Sequence, residues 1–234
     1  MEASRRATVR GPTFIRLLAR LTHADIPQPS QPLSDRLSQW VDWTHSLTLS
    51  TALDAAPLAA APGERVCADS EAAECAKVRS ALSQAIAGDR AFATAEAGAP
   101  AALRVEETAD YPFFRQRYLA LQQTMEAGAG RLRERLRDRL SLGTPGMAQL
   151  AAVDQVMERA LARRERALLG SAPALLGEHF ERLRLAAQDE AAAAPRAQAW
   201  LDRFRRDMRS LLLAELDVRL QPAEGLLSAL RNNS

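Results

Sequence analysis

The amino-acid sequence predicts an all-α protein in which helical hairpins and long coiled-coil-like helices form a bundle. Apolar residues recur at spacings of three and four along several long segments, whereas no segment shows the alternation of a strand. Aromatic residues make up only 5% of the chain, and runs of β-branched residues are missing. With 234 residues, the chain is long enough to enclose one sizeable core.

The N-terminal region is expected to comprise a disordered segment over residues 1–10 and a helical unit over 11–54. Its first helix begins near Pro12, and its broad apolar face is predicted to dock on the rest of the protein. Five arginines against one acidic residue precede Asp25. This charge also suits a membrane surface, so peripheral membrane contact through this helix remains an alternative.

A second helix is predicted between the prolines of 27–32 and Pro57. Its stripe follows a heptad spacing and comprises Leu33, Leu37, Trp40, Thr44, Leu47 and Thr51, with Trp43 beside it. A heptad stripe favours pairing with another helix. We therefore assign four candidate interaction residues here, namely Leu37, Trp40, Trp43 and Leu47.

Residues 55–108 are predicted to be a linker with a short helix near 70–87, because the flanking stretches are rich in alanine, proline and glycine. The two cysteines, Cys67 and Cys75, would lie about 12 Å apart on one helix, too far for a disulfide. A reducing compartment, the cytoplasm, is therefore expected.

A C-terminal helical bundle is expected over residues 109–231. Asp110 should cap a helix that runs to about Leu142. A hairpin turn is predicted at 143–145, with Gly143 in a left-handed conformation, Thr144 as the next cap and Pro145 at the first helical position. Residues whose numbers sum to about 289 should then face each other across the hairpin.

The chain should end in two further helices, the first starting after a break near 170–173 and the second running from Pro195 to an interruption at Pro222. The last long helix supplies four more candidate interaction residues, Leu201, Phe204, Met208 and Leu211. This stripe and the one on the second helix offer more apolar surface than one hairpin needs. Self-association, or binding of another helical protein, is therefore predicted.

The segment RLRERLRDRL, residues 131–140, places five arginines around a stripe of leucines. In the predicted hairpin Arg131 should pair with Glu158, and Arg135 with Asp154. The alternative function is a nucleic-acid-binding regulator that uses an arginine-rich patch. That candidate basic patch comprises Arg133, Arg137, Arg139, Arg205 and Arg209. The formal net charge of +2 does not decide between these functions.

No catalytic, cofactor-binding or metal-ligating residues are predicted. The single lysine, Lys77, has no glycine-rich loop before it, and the three histidines and two cysteines lack metal-ligand spacing. The fragment GAGRLR, beginning at Gly128, lacks the third glycine and the preceding strand of a dinucleotide-binding turn, which favours a close helix contact or a soft spot in the helix instead. The sequence therefore indicates a non-enzymatic protein without a cofactor.

The segments GPTFIRLLARLTHADIP and LSDRLSQWVDWTHSLTLSTAL resemble the N-terminal portion of an uncharacterised family of proteobacterial cytosolic helical proteins, classed as a domain of unknown function. The resemblance implies a cytoplasmic accessory role beside peptidoglycan-binding envelope proteins and their membrane partners. It carries over no catalytic residue. The expected function is a helical adaptor or scaffold that mediates protein–protein association.

Overall fold

A computed structural model of the chain describes residues 13–23, 31–54, 68–92, 110–191 and 199–232. These ranges contain α-helices, a single 3₁₀ turn at Arg90–Phe92 and no strand, so the predicted all-α bundle is confirmed. The helices are α1 (Thr13–Thr22), α2 (Leu33–Trp40), α3 (Trp43–Asp54), α4 (Ala68–Ala87), α5 (Tyr111–Ser141), α6 (Pro145–Gly170), α7 (Ala172–Ala191) and α8 (Ala199–Asn232). The predicted disordered segment 1–10 lies outside the described residues.

Helices α5 and α8 run parallel through the centre of the bundle. Near one end, the rings of Phe114 and Phe204 meet edge to face with their centroids 5.0 Å apart, and further along Gln122 is bonded to Glu215. The four residues of α8 that were predicted to be an interaction seam, Leu201, Phe204, Met208 and Leu211, are all buried in this core. Their prediction as an interface is corrected: α5 and α7 of the same chain already cover them.

The hairpin of α5 and α6 has the predicted caps and the predicted antiparallel register. Asp110 accepts a hydrogen bond from the backbone of Phe113, and Thr144 caps α6. Gln122 donates to the carbonyl oxygen of Leu169 over 3.1 Å, which fixes the register close to the expected one. The left-handed conformation expected at Gly143 is absent; a Cβ there would lie 2.7 Å from the sulfur of Met147, so a larger residue would require the Met147 side chain to move.

Helix α4 is part of the bundle, whereas the sequence suggested a short helix within a linker. It packs against α5 and α8 and buries Leu82 and Ile86. A Cβ on Gly128 would lie 3.1 Å from Leu82, so the close helix contact predicted at this glycine is confirmed. The amino-acid composition did not predict that α4 packs in the bundle, because much of the contact between α4 and α5 depends on close approach and ion pairing. Residues 55–67 and 93–108 of the predicted linker lie outside the described residues.

Helix α8 continues through Pro222, where an interruption was predicted. Proline inside a helix costs about 3 kcal/mol because it removes a backbone donor and crowds the preceding turn. The turns that follow bury Leu226, Leu227 and Leu230 in the core. Burial contributes about 1.5–3 kcal/mol for each of these leucines, which offsets the cost of the proline in the helix.

The predicted N-terminal unit over 11–54 occupies two separate places. Helix α1 docks on α7 and α8, and its apolar face is buried there. The expected single heptad helix is divided into α2 and α3, because the carboxylate of Asp42 accepts a hydrogen bond from the backbone of His45 and begins a new helix. Helix α3 lies antiparallel along α6: Gln149 donates to the carbonyl oxygen of Leu53, and Arg164 covers the ring of Trp40.

Candidate functional site

The outer side of α3 carries an exposed apolar surface, which we define as Trp43, Leu47, Leu53 and the neighbouring Leu150 of α6. The residues are 83%, 61%, 53% and 38% exposed, in that order. At 100° per residue, Trp43 and Leu47 point in nearly the same direction, while Leu49 lies on the opposite side toward α6. None of the twelve residues of α3 is buried.

This outer face carries almost no charge. Between Trp43 and Leu53 the only ionisable side chain is His45, and its ring nitrogen lies 2.7 Å from the carboxylate of Asp42. Charged residues make up 26% of the chain, and a solvent-facing helix surface ordinarily carries many of them. An exposed tryptophan and leucines on an uncharged helix face are typical of a surface that another protein covers.

The structure separates the candidate interaction residues predicted on the second helix. Trp43 and Leu47 belong to the apolar surface, whereas Leu37 and Trp40 are half-buried. The ring of Trp40 contacts two guanidinium groups, those of Arg36 and Arg164. Leu53 and Leu150 were missed. At 100° per residue Leu53 lies about 80° from Trp43 and about 40° from Leu49, so a helical wheel places Leu53 at the edge of the outer face.

Arg133 and Arg137 lie between α5 and α6 and are bound to acidic residues. Arg133 makes a bidentate contact with Asp154, with distances of 2.9 and 2.7 Å, and Arg137 donates to both Asp154 and Glu158. The two side chains are 15% and 14% exposed. The sequence prediction chose the wrong flank of α5, since it assigned these acids to Arg131 and Arg135.

The other flank of the same helix faces α4. Arg135 and Arg139 both donate to the buried carboxylate of Glu71, over 2.8 and 3.1 Å. The hydrogen bond from Arg135 lowers the pKa of Glu71 below its usual value, against the opposing effect of burial. A carboxylate held between two guanidinium groups therefore joins α4 to α5.

The five arginines of the predicted basic patch do not share one face. Arg133, Arg137 and Arg139 are ion-paired as described, and Arg205 pairs with Asp202 within α8. Arg209 is exposed on α8. Because Phe204 contacts Phe114, Arg205 lies roughly 30 Å from Arg133 along the bundle, at a rise of about 1.5 Å per residue.

A different group of arginines lies on α2 and the second half of α6, and comprises Arg36, Arg159, Arg163 and Arg164. Gln149 and Arg164 mark the face of α6 that meets α3. At 100° per residue Arg159 and Arg163 lie on one flank of that face and Leu150 lies on the other. Both arginines are exposed, and neither has an acidic partner among the described residues.

A buried polar network joins α5 to α8 around Glu215, which is fully inaccessible to solvent. Its carboxylate accepts hydrogen bonds from Tyr118 at 2.7 Å, from Gln122 at 3.0 Å and from Arg219 at 2.8 Å. Burial, together with the neighbouring carboxylate, raises the pKa of Tyr118 well above its usual value, so the phenol remains a donor. With every partner inside the protein, the network is suited to hold two helices together.

A mostly apolar cavity of about 220 Å³ lies between α4, α5 and α8, and the thiol of Cys75 lines it. At its edge Arg79 bridges Asp217 and Glu224. Burial raises the pKa of Cys75, which keeps it a neutral thiol and a weak nucleophile.

The described ranges contain neither a metal-binding cluster nor a membrane-spanning helix. No group of three histidine, cysteine, aspartate or glutamate side chains there is placed to hold a metal ion. No helix in those ranges has the length and apolarity needed to cross a membrane.

Comparison with known proteins identifies a family. No curated protein and no solved structure matches the chain. Residues 1–232 match the family described as "Protein of unknown function (DUF3348)". This match covers nearly the whole sequence, and the chain therefore belongs to that family.

Proposed function

We propose that the protein is a non-enzymatic helical adaptor that binds another protein through the apolar surface on α3 and α6. The single observation that carries this proposal is the exposure of Trp43 and Leu47 on a helix face without charged side chains. The partner is a helical protein or a second copy of the chain. We further propose a cytoplasmic location and an accessory role beside an envelope-associated complex.

The energetics support such a contact. Tryptophan is enriched among residues that dominate binding energy, and Trp43 is the most exposed large apolar residue described. Transferring an exposed leucine from water into an interface contributes about 1.5–3 kcal/mol. Helix α3 is about 18 Å long at 1.5 Å per residue, which suits a partner helix of three to four turns.

The alternative of a nucleic-acid-binding regulator has less support. Three of the arginines it relied on, Arg133, Arg137 and Arg139, already have carboxylate partners. Phosphate groups would have to displace these acids before the arginines became available, which weakens the affinity expected from them.

Site-specific photo-cross-linking tests the proposal. A photoreactive amino acid at position 47 should yield discrete adducts in native cells, whereas the same group at Ser210, an exposed position on α8, should not. The adducts should disappear in a Trp43→Ser variant that remains folded. Absence of adducts at position 47, or adducts that do not depend on Trp43, would exclude the α3 surface as a binding site.

A further inference from the structure

Three arginines of α6 lie in a row along one exposed face of the helix. Arg159, Arg163 and Arg166 are spaced by four and three residues, so at 100° per residue they fall within about 60° of one another. All three side chains are exposed, and none pairs with an acidic residue in the part of the chain that the structure describes. Arg166 donates to the backbone carbonyl of Ala162. We call this set the α6 arginine row.

The row lacks the acidic residues that a solvent-facing helix surface usually carries among its basic ones. On α6, the residues three and four positions from each arginine are arginine, alanine, glutamine, valine, leucine or glycine. Glu158 and Glu165 point about 80° or more away from each arginine, and Glu158 is already held by Arg137. Cations three and four residues apart on a helix repel each other, and an anion bound across the row would relieve that repulsion.

The neighbouring helix α5 carries exposed carboxylates, those of Glu126 and Glu134. Neither forms an ion pair with the row among the described residues. The contrast with RLRERLRDRL on α5 is direct, because four of the five arginines there contact carboxylates of α4 or α6. The row is therefore a run of cations that the fold itself does not use.

We propose that the α6 arginine row binds the phosphate backbone of a nucleic acid without reading its sequence. This site is separate from the apolar surface on α3, and the proposal does not rest on the adaptor function. It also differs from the basic patch predicted from the sequence, whose arginines are ion-paired or lie far apart.

The length of the row matches a short stretch of nucleic-acid backbone. Seven residues separate the first arginine from the last, which is about 10 Å at 1.5 Å per residue. Phosphates of one DNA strand follow each other at about 3.4 Å along the duplex axis, so the row spans three to four of them. A planar guanidinium binds a phosphate through two parallel hydrogen bonds.

The residues around the row favour a phosphate backbone over a bilayer or a protein partner. Ala152 and Gln155 are exposed on the same face, whereas Leu150 and Leu168, the large apolar residues that α6 exposes, point to the opposite side. A helix that lies in a bilayer surface inserts tryptophan, phenylalanine or leucine, and a protein interface has an apolar centre. Contacts to nucleic-acid phosphates need arginine and amide side chains alone.

Titration of the full chain with short fluorescent DNA duplexes tests the inference. Two duplexes of unrelated sequence should bind equally, and their affinity should fall about 40-fold between roughly 50 and 200 mM salt, the effect of three neutralised phosphates. Arg159→Gln/Arg163→Gln/Arg166→Gln should lose about tenfold or more at the lower salt and should show a shallower salt dependence.

The matched control is Arg115→Gln/Arg131→Gln/Arg209→Gln. It removes the same charge from exposed positions on α5 and α8 and should bind DNA nearly as the wild type does. Both triple variants should keep the circular dichroism spectrum of the wild type, because every substituted side chain is exposed.

Four results would overturn the proposal. No binding by the wild type at about 50 mM salt would show that the row is a solvated surface. Equal losses in both triple variants would show that net charge, and not the row, attracts DNA. A strong preference for one duplex would show that bases are read. Binding to phosphatidylglycerol vesicles but not to DNA, lost in the row variant, would assign the row to a membrane surface. Photo-cross-linking at position 47 tests the adaptor function independently of all four.

Discussion

The arginines of α5 and the arginines of α6 look alike in the sequence but occupy opposite environments. In RLRERLRDRL, four of the five contact the carboxylates of Glu71, Asp154 and Glu158 and join α5 to its neighbours. In the ARRER segment of α6, beginning at Ala162, Arg163 is exposed and without an acidic partner among the described residues. The more conspicuous cluster is structural, and the less conspicuous one is exposed to the solvent.

The difference teaches that arginine density does not identify a binding site. What distinguishes the two clusters is where the acidic residues lie in three dimensions. Glu71 is about sixty residues away from Arg135 in the sequence and cannot be associated with it by any local pattern. Variants of each cluster should therefore have different effects on stability and binding.

The largest effect should come from the core beneath the α5 arginines. Leu136 is fully buried, so Leu136→Ala should lower the free energy of unfolding by about 2–5 kcal/mol. Chemical denaturation monitored by circular dichroism measures this loss of stability. A loss below 1 kcal/mol would mean that α5 is not packed as described.

The double substitution Arg133→Ala/Arg137→Ala should lower the free energy of unfolding by about 1–3 kcal/mol. It leaves the largely buried Asp154 without its donors. This expectation exceeds the one for exposed pairs, since both arginines are mostly shielded from solvent. Restoring stability with Asp154→Asn in the same background would confirm the cause; an unchanged midpoint in the double variant would contradict it.

The Glu71 carboxylate should make stability depend on pH. Its folded pKa lies below the ordinary value of 4.5, so its contribution is present at neutral pH and is lost as the pH falls through the folded pKa. Unfolding titrations from pH 7 to about pH 3 should show a shallower loss for Glu71→Gln than for the wild type. If the free energy of unfolding falls equally with pH in both proteins, groups other than Glu71 cause the acid sensitivity.

The smallest effect on stability should come from the α6 arginines. Arg159→Gln/Arg163→Gln should change the free energy of unfolding by no more than about 0.5 kcal/mol, because both side chains are exposed. Denaturation of this variant beside Arg133→Ala/Arg137→Ala gives the direct comparison. A loss as large as that of the α5 variant would show that these arginines serve the fold.

Local signals in the sequence predicted much of the fold. Asp110, Thr144 and Pro145 define the ends of α5 and α6 through their own side chains, so the hairpin and its register followed from nearby residues. The sequence did not predict which flank of α5 faces α6, because the register of a hairpin leaves the rotation of each helix about its own axis undetermined. That rotation depends on α4 and α8, which are distant in the sequence.

The candidate site was predicted in part. Trp43 and Leu47 were identified from their apolar character, but the heptad spacing assumed one helix where Asp42 starts another. The equally regular stripe from Leu201 to Leu211 is buried in the core. Periodicity shows that a helix face is apolar, and only the three-dimensional arrangement shows whether the same chain covers it.

The buried carboxylate of Glu215 has a consequence for how the chain finds its native alignment. Parallel α5 and α8 are joined by no short turn, so they could slide past each other by one helical turn with leucine still facing leucine. Such a slip would separate Glu215 from Tyr118 and Gln122 and leave Arg219, on the same helix, as the donor to the buried carboxylate. The loss of two hydrogen bonds to a charged group costs about 1.5–3 kcal/mol each. We infer that Glu215 selects one alignment among apolar alternatives. Replacing Glu215 and Arg219 by leucine and methionine should then yield more than one set of amide signals by nuclear magnetic resonance, and a single set would disprove this role.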